Sequence, residues 1–151
     1  MANSYLTFSE VIARLDAHER KWVRRVLGCD RNVRRTLSGA GLRVSAVDLE
    51  DWPGFQWQFN DADSELWLHA DESGNVDHVG EFVRAFLARF RPNECWTLTW
   101  AETCSKPRVG EFGGGALFIT AKALKTFRAA KVIHRLQIRF EKNRPIQPTA
   151  L

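Results

Sequence analysis

The fold of this chain is decided by residues 94–121, which read ECWTLTWAETCSKPRVGEFGGGALFITA. In the first part of this stretch Trp96, Leu98 and Trp100 alternate with small or polar residues, which is the period of a half-buried strand. Near its end, residues 116–120 form a short apolar, partly β-branched run that follows glycines and predicts a central strand. The stretch therefore predicts two core strands joined by a loop.

The loop inside this stretch combines cations with glycine. Pro107 stands between Lys106 and Arg108, and its ring favours an extended Lys106, so two cations are presented on a partly stiffened turn. Three glycines follow, Gly113, Gly114 and Gly115. Exposed N–H groups beside two cations would suit a phosphate or a carboxylate, and we name these five residues the anion loop. The alternative interpretation is a bulged hairpin turn with solvated cations.

The same loop carries a resemblance to a known group of proteins. Residues 100–116 fit the pattern W-A-x-T-C-S-K-P-R-x-x-E-F-G-G-G-A, which resembles a motif of small bacterial proteins, some of them carried by phages or plasmids. The resemblance covers residues 66–121 and is specific in the loop. It implies a mobile-element context but no activity and no catalytic residue.

Length and composition predict one domain. A chain of 151 residues suits a single α+β domain, predicted over residues 1–142, with a flexible carboxyl-terminal tail over 143–151 that contains two prolines. The three cysteines show neither a disulfide nor a zinc spacing. Without a signal-like amino terminus or an apolar run near the roughly 18 residues of a span, we predict a cytoplasmic protein with no membrane partner.

Hydrophobic periodicity predicts the order of the elements. Helices are predicted over residues 9–27, 30–37, 76–91 and 120–136, and strands over 42–49, 55–59, 65–70, 94–103 and 116–120. Capping signals at Thr7–Glu10 and Asn75 support the first and third helices. The order α-(α)-βββ-α-ββ-α predicts an α+β fold, with a mainly antiparallel sheet of about five strands and helices on one face.

Charge is segregated along the chain. The net charge is +4, yet residues 44–83 contain ten acidic residues and no Lys or Arg, and both ends are basic. This pattern indicates either a basic face for nucleic acid or internal pairing of the ends with the middle. The predicted basic surface comprises Arg20, Lys21, Arg24, Arg25, Arg31, Arg34, Arg35, Lys122, Lys125, Arg128, Lys131 and Arg135. A merely solvated helix surface is the alternative.

Catalytic patterns are weak. Cys104 with His69 or His78 and Asp77 could compose a thiol triad, although cysteines on strands are commonly buried and inert. The histidines and cysteines lack the spacing of metal ligands, so neither a metal nor a cofactor is predicted. The sequence does not favour an enzyme.

Two classes of function remain open. The first is a non-enzymatic, nucleic-acid-associated protein that binds phosphates through the basic helices at both ends of the chain. The alternative is a protein-binding inhibitor or accessory factor, of phage or mobile-element type, that acts on a nucleic-acid-handling protein complex. A small thiol enzyme using Cys104 is a distant alternative.

Overall fold

A computed structural model describes residues 2–60 and 62–146 of the chain. Over these residues the elements are β1 (Ser4–Ile12), α1 (Ala17–Leu27), α2 (Val33–Gly39), a 3-10 turn (Val44–Ala46), β2 (Gln56–Asn60), β3 (Glu65–Ala70), α3 (Val76–Phe90), β4 (Cys95–Cys104), β5 (Gly113–Thr120), β6 (Leu124–Arg128) and α4 (Ala129–Lys142). Of the predicted tail, residues 147–151 lie outside the described residues.

The strands form one antiparallel sheet in the order β2-β3-β1-β4-β5-β6. The predicted α+β class and antiparallel sheet are confirmed, and the element order agrees approximately. The described sheet has six strands, however, rather than about five.

One face of the sheet is covered by α1 and α3. The core under this face is formed by side chains of α3 together with side chains of β3, β4 and β5. The strand residues are Leu66, Leu68, Leu98, Leu117 and Ile119. We call this the covered face. The opposite side of the sheet, which includes Trp67, Thr97, Thr99 and Phe118, is the open face.

The central helix α3 forms as its sequence predicts. Asn75 caps it, because its side-chain oxygen accepts a hydrogen bond from the His78 N–H at 3.1 Å. Phe82 and Phe86 are fully buried, and both rings contact the indole of Trp22 on α1. Burying a large aromatic side chain contributes roughly 1.5 to 3 kcal/mol, so these contacts anchor α1 to α3.

The amino-terminal third corrects two predictions. Residues 4–12 form β1, so residues 9–12 are strand rather than the start of the predicted helix over 9–27. Helix α1 begins only after Asp16, which forms a capping box with Glu19. β1 lies between β3 and β4, so pairing with distant strands overrides the weak local helical pattern. The predicted strand over 42–49 is instead loop with a short 3-10 turn.

The carboxyl-terminal region corrects a third prediction. Residues 124–128 form β6 rather than the start of the last helix, which begins at Ala129. Leu124 pairs with Ile119 in the ladder, and its side chain faces Gly80 on α3, where a larger residue would collide with it. Leu124 therefore packs between the sheet and α3 rather than forming part of a helix.

Two buried carboxylates form ion pairs that connect loops to α1 and α3. Glu81 on α3 accepts hydrogen bonds from the Arg84 side chain and from the backbone and side chain of Arg43. Glu19 on α1 accepts from Arg91 just beyond α3, with a nitrogen to oxygen distance of 2.8 Å. Both carboxylates are paired, as buried charges must be.

No helix among residues 2–60 and 62–146 combines the length and hydrophobicity required to cross a bilayer.

Candidate partner-binding surfaces

The three glycines of the anion loop lie in a strand. Gly113, Gly114 and Gly115 belong to β5 and stand opposite Glu102, Ala101 and Trp100 of β4. A Cβ added at Gly115 would meet the Trp100 indole and the backbone oxygen of Phe127. Gly114 has a φ of 149°, which a side chain would strain. Close approach of Trp100 across the ladder accounts for Gly114 and Gly115.

The cations of the anion loop remain on an exposed turn. The Arg108 N–H donates to the Lys106 carbonyl at 2.8 Å, and no carboxylate within the described residues pairs with either side chain. Beside this turn lies a cavity of about 500 Å³ whose lining includes Glu72, Glu102 and Glu111. These three carboxylates would repel an anionic ligand. The two cations of the anion loop therefore border an acidic cavity.

The predicted basic surface divides into two groups at opposite edges of the sheet. The cations from residue 20 to residue 35 lie on or near α1 and α2, and α1 stands beside β2, since the Arg24 guanidinium lies 4.7 Å from the ring centre of Phe59. The cations from residue 122 to residue 135 lie on or beside β6 and α4. Five strand spacings separate the two edges, or roughly 24 Å.

Internal ion pairs use only a small part of this surface. Arg24 pairs with Asp63 at 2.8 Å, and Arg128 lies 3.6 Å from Asp77 while its guanidinium packs over Trp100. Arg20 donates to the Leu15 carbonyl. Across the described chain, the other predicted cations have no side-chain partner, and these are Lys21, Arg25, Arg31, Arg34, Arg35, Lys122, Lys125, Lys131 and Arg135. Most of the predicted basic surface is therefore free to meet a partner.

Helix α4 is amphipathic and exposed along its whole length. Ile133, Leu136 and Phe140 recur at helical spacing and form an apolar stripe with Val132, and Leu136 and Phe140 are 55% and 69% exposed. At about 100° per residue, Lys131, Arg135 and Lys142 fall on the other side of the helix. We call the four apolar residues the α4 stripe. All four side chains are at least 40% exposed, so no element of the described protein buries the stripe.

Apolar exposure continues from α4 onto the open face. Phe118 on β5 and Phe127 on β6 occupy diagonal positions of the ladder, and both are exposed. Seven of the ten exposed large apolar residues in the described chain belong to β5, β6 and α4, so apolar exposure is concentrated in these three elements. Neither phenylalanine was among the predicted site residues, although the alternation of residues 116–120 places Phe118 on the face opposite the buried Leu117 and Ile119.

The open face has a second aromatic feature far from α4. The rings of Trp67 and His69 are stacked with centroids 3.6 Å apart, and the Trp67 indole donates to the Ser9 hydroxyl at 2.8 Å. These contacts satisfy the polar atoms of Trp67 within the protein itself.

The structure separates the members of the possible thiol triad. Cys104 stands opposite Ser4 on β1, whereas His69 stands opposite Ser9 on the other face of the sheet. The five residue steps from Ser4 to Ser9 along β1 correspond to roughly 17 Å. His78 is buried, and its ring nitrogens engage the Asp48 N–H and the Pro53 carbonyl. Cys104 therefore has neither histidine as a base.

Among the described residues, no group of three or more His, Cys, Asp or Glu side chains is placed to hold a metal ion.

Comparison with known proteins adds no relative. No protein-family model matches the chain, and neither the curated proteins nor the solved structures contain a match. The resemblance of residues 100–116 to mobile-element proteins therefore stays a prediction.

Proposed function

We propose that this protein is a non-enzymatic binding protein that docks through α4 on another protein. The observation that carries the proposal is an amphipathic helix of 14 residues with every residue exposed. Isolated helices of this length are marginal in water and usually owe their stability to packing of an apolar face. A helix of this kind is stabilised when a partner protein covers its apolar face.

The partner that fits α4 is a protein with an apolar groove and an acidic rim. Burial of Ile133, Leu136 and Phe140 would contribute about 1.5 to 3 kcal/mol each, which is the usual basis of helix-in-groove recognition. Arg139 lies about 60° around the helix from Leu136, so it would face a carboxylate at the rim. Lys131, Arg135 and Lys142 point away from the groove and favour the approach of an acidic protein by long-range attraction. This partner accords with the inhibitor or accessory-factor alternative, in which the target belongs to a nucleic-acid-handling complex.

The α4 stripe also distinguishes the two classes of function. A helix that only neutralises phosphates needs cations and gains nothing from exposed Leu136 and Phe140. Such side chains in contact with water favour self-association or aggregation unless a partner buries them. The stripe therefore supports a protein partner over nucleic acid as the occupant of α4.

Leu136→Asp is expected to abolish capture of the partner, because it places a charge at the centre of the α4 stripe. The measurement is a pull-down from nuclease-treated host lysate, followed by titration of the captured acidic protein against purified variants. Ile138→Asp is the matched control, since Ile138 is 42% exposed and lies about 200° around the helix from Leu136. Equal capture by wild type and Leu136→Asp, with circular dichroism unchanged, would contradict docking through α4.

Nucleic-acid binding is the second candidate, and the unpaired cations favour it. Lys131 and Arg135 lie at one edge of the sheet, and Arg34 and Arg35 lie at the other, all without carboxylate partners in the described chain. Nucleic acid bound along this surface would release counterions in proportion to the phosphates contacted.

A gel shift with unrelated DNA and RNA sequences at about 50 and 200 mM salt tests this candidate. Binding through both groups should weaken steeply with salt. Lys131→Gln/Arg135→Gln and Arg34→Gln/Arg35→Gln should each lower the slope of log K against log salt by about 2, since each lost phosphate contact contributes about 0.9. Retention of the full slope by both variants would exclude the basic surface as a phosphate site.

A further inference from the structure

A cavity of about 600 Å³ opens between α1 and the end of α3, remote from α4. Its lining is formed by His18, Lys21, Trp22, Arg25, Arg89 and Phe90. The α1 residues recur at positions i, i+3, i+4 and i+7, so they share one face of that helix. Cavities of roughly 300 to 1,000 Å³ hold small ligands in proteins.

The charge of this cavity is positive. Lys21, Arg25 and Arg89 have no carboxylate within ion-pair distance in the described chain, and the neighbouring Glu19 is already bound by Arg91. The carboxyl end of α3 supplies a partial negative charge of about one half, which the cations exceed several-fold. An anion entering the cavity would therefore meet uncompensated positive charge.

The remainder of the lining is aromatic. Trp22 is 3% exposed and packs edge-on against Phe90, with ring centroids 5.7 Å apart. The Trp22 Nε1–H is buried and has no acceptor among the described residues, and a buried unmet donor costs about 1 to 3 kcal/mol. The Arg89 guanidinium lies 5.6 Å from the centre of the Phe90 ring. Phe90 is half-buried, so its ring is the accessible aromatic surface of the lining, and Trp22 packs behind it. A planar ligand can therefore lie against Phe90 beside the cations.

We propose that this cavity binds a nucleotide, with its phosphate on Lys21, Arg25 and Arg89 and its base against Phe90, next to the buried Trp22. A bare anion would leave the aromatic wall unused, and an uncharged aromatic would leave three cations unpaired. Arginine and lysine together suit phosphate, since charge-assisted hydrogen bonds to its oxygens are short and strong. The same chemistry is presented by a free nucleotide and by the phosphorylated end of a strand.

Two-dimensional NMR of the tryptophan indole N–H groups tests the proposal. AMP is expected to shift the Trp22 Nε1–H signal in a saturable manner, whereas adenosine and inorganic phosphate shift it at least tenfold more weakly. A 5′-phosphorylated trinucleotide, compared with its unphosphorylated form, separates the sources. Tighter binding of the phosphorylated trinucleotide than of AMP identifies the end of a strand, and the reverse identifies a free nucleotide. The absence of a saturable shift with both ligands overturns the proposal.

Variants of exposed residues check the assignment. Arg25→Gln and Lys21→Gln should each weaken AMP binding about tenfold, in keeping with the loss of one charge-assisted contact. Arg14→Gln is the matched control, because Arg14 is exposed and lies outside the cavity lining and outside the predicted basic surface. Leu136→Asp should also bind AMP normally, so failure of the α4 proposal is distinguishable from failure of this one. Equal weakening of AMP binding by Arg14→Gln and Arg25→Gln would overturn the site.

Discussion

Trp100→Ala is expected to lower the free energy of unfolding by about 3 to 5 kcal/mol, the usual cost of truncating a buried tryptophan. Trp100 is 5% exposed on the covered face of β4, and its indole fills the space that Gly115 leaves open on β5. The guanidinium of Arg128 packs on its other side, 5.3 Å from the ring. Truncation would thus open a cavity bounded by rigid backbone that cannot collapse.

Urea unfolding followed by circular dichroism measures this effect. Trp67→Ala is the matched control, because it removes the same side chain from the open face, where water can occupy the vacated space. Its cost should stay below about 1.5 kcal/mol, the order of one aromatic contact together with one hydrogen bond. Similar losses in the two variants would show that Trp100 is not a core anchor.

Glu81→Ala is expected to cost about 3 to 5 kcal/mol, since removing one partner of a buried ion pair leaves the others uncompensated. Glu81 is 1% exposed and accepts hydrogen bonds from Arg84 Nη2 at 2.6 Å and from the Arg43 backbone N–H at 2.7 Å. Without Glu81, the largely buried Arg84 has no carboxylate partner. The loop that precedes the 3-10 turn also loses the hydrogen bond from Arg43 that attaches it to α3. Thermal or urea unfolding would record the change.

The same carboxylate predicts how stability depends on pH. Burial alone would raise the pKa of Glu81, but hydrogen bonds from Arg84 and Arg43 outweigh it, so the folded pKa lies below the ordinary value of 4.5. The unfolded state then binds the proton more readily, and the stabilisation is complete above pH 4.5 and lost as pH falls through the folded pKa.

Unfolding measured along a pH series down to the acid transition should therefore show a shallower acid limb for Glu81→Gln than for wild type. Glu50→Gln serves as the control, because Glu50 is exposed and its carboxylate accepts no hydrogen bond within the described chain. An unchanged acid limb in Glu81→Gln would show that Glu81 does not titrate differently in the folded and unfolded states.

Local patterns were sufficient for the elements with strong periodicity. The alternation of Trp96, Leu98 and Trp100 correctly predicts β4 and its covered face, and the Asn75 cap with the apolar stripe that follows predicts α3. These signals succeed because each repeats over a whole element and because the buried residues are large. The antiparallel α+β class followed from the order of such elements.

The same local reasoning failed where pairing partners are distant in sequence. β1 contacts β3 and β4 about 60 and 95 residues away, so nothing within the segment 4–12 reveals its partners. β6 is short, and its residues would suit a helix equally well. The strand is decided by the pairing of Leu124 with Ile119 and by its contact with Gly80, neither of which is visible in the local pattern. Gly114 and Gly115 were assigned to a loop because the requirement for space beside Trp100 comes from the neighbouring strand and is not visible in the local sequence.

Composition and charge order were determined by the sequence, whereas the arrangement of charges in space was decided by the tertiary structure. The sequence shows which segments are basic. The two groups of cations lie at opposite edges only because α1 packs beside β2 and because β2 and β6 are the edge strands of the sheet. In the same way, Lys21 and Arg25 are ordinary surface cations until α3 brings Arg89 and Phe90 beside them. The physical reason is that hydrophobic burial fixes the packing of the elements, and exposed charges and apolar stripes are carried to wherever that packing leaves them.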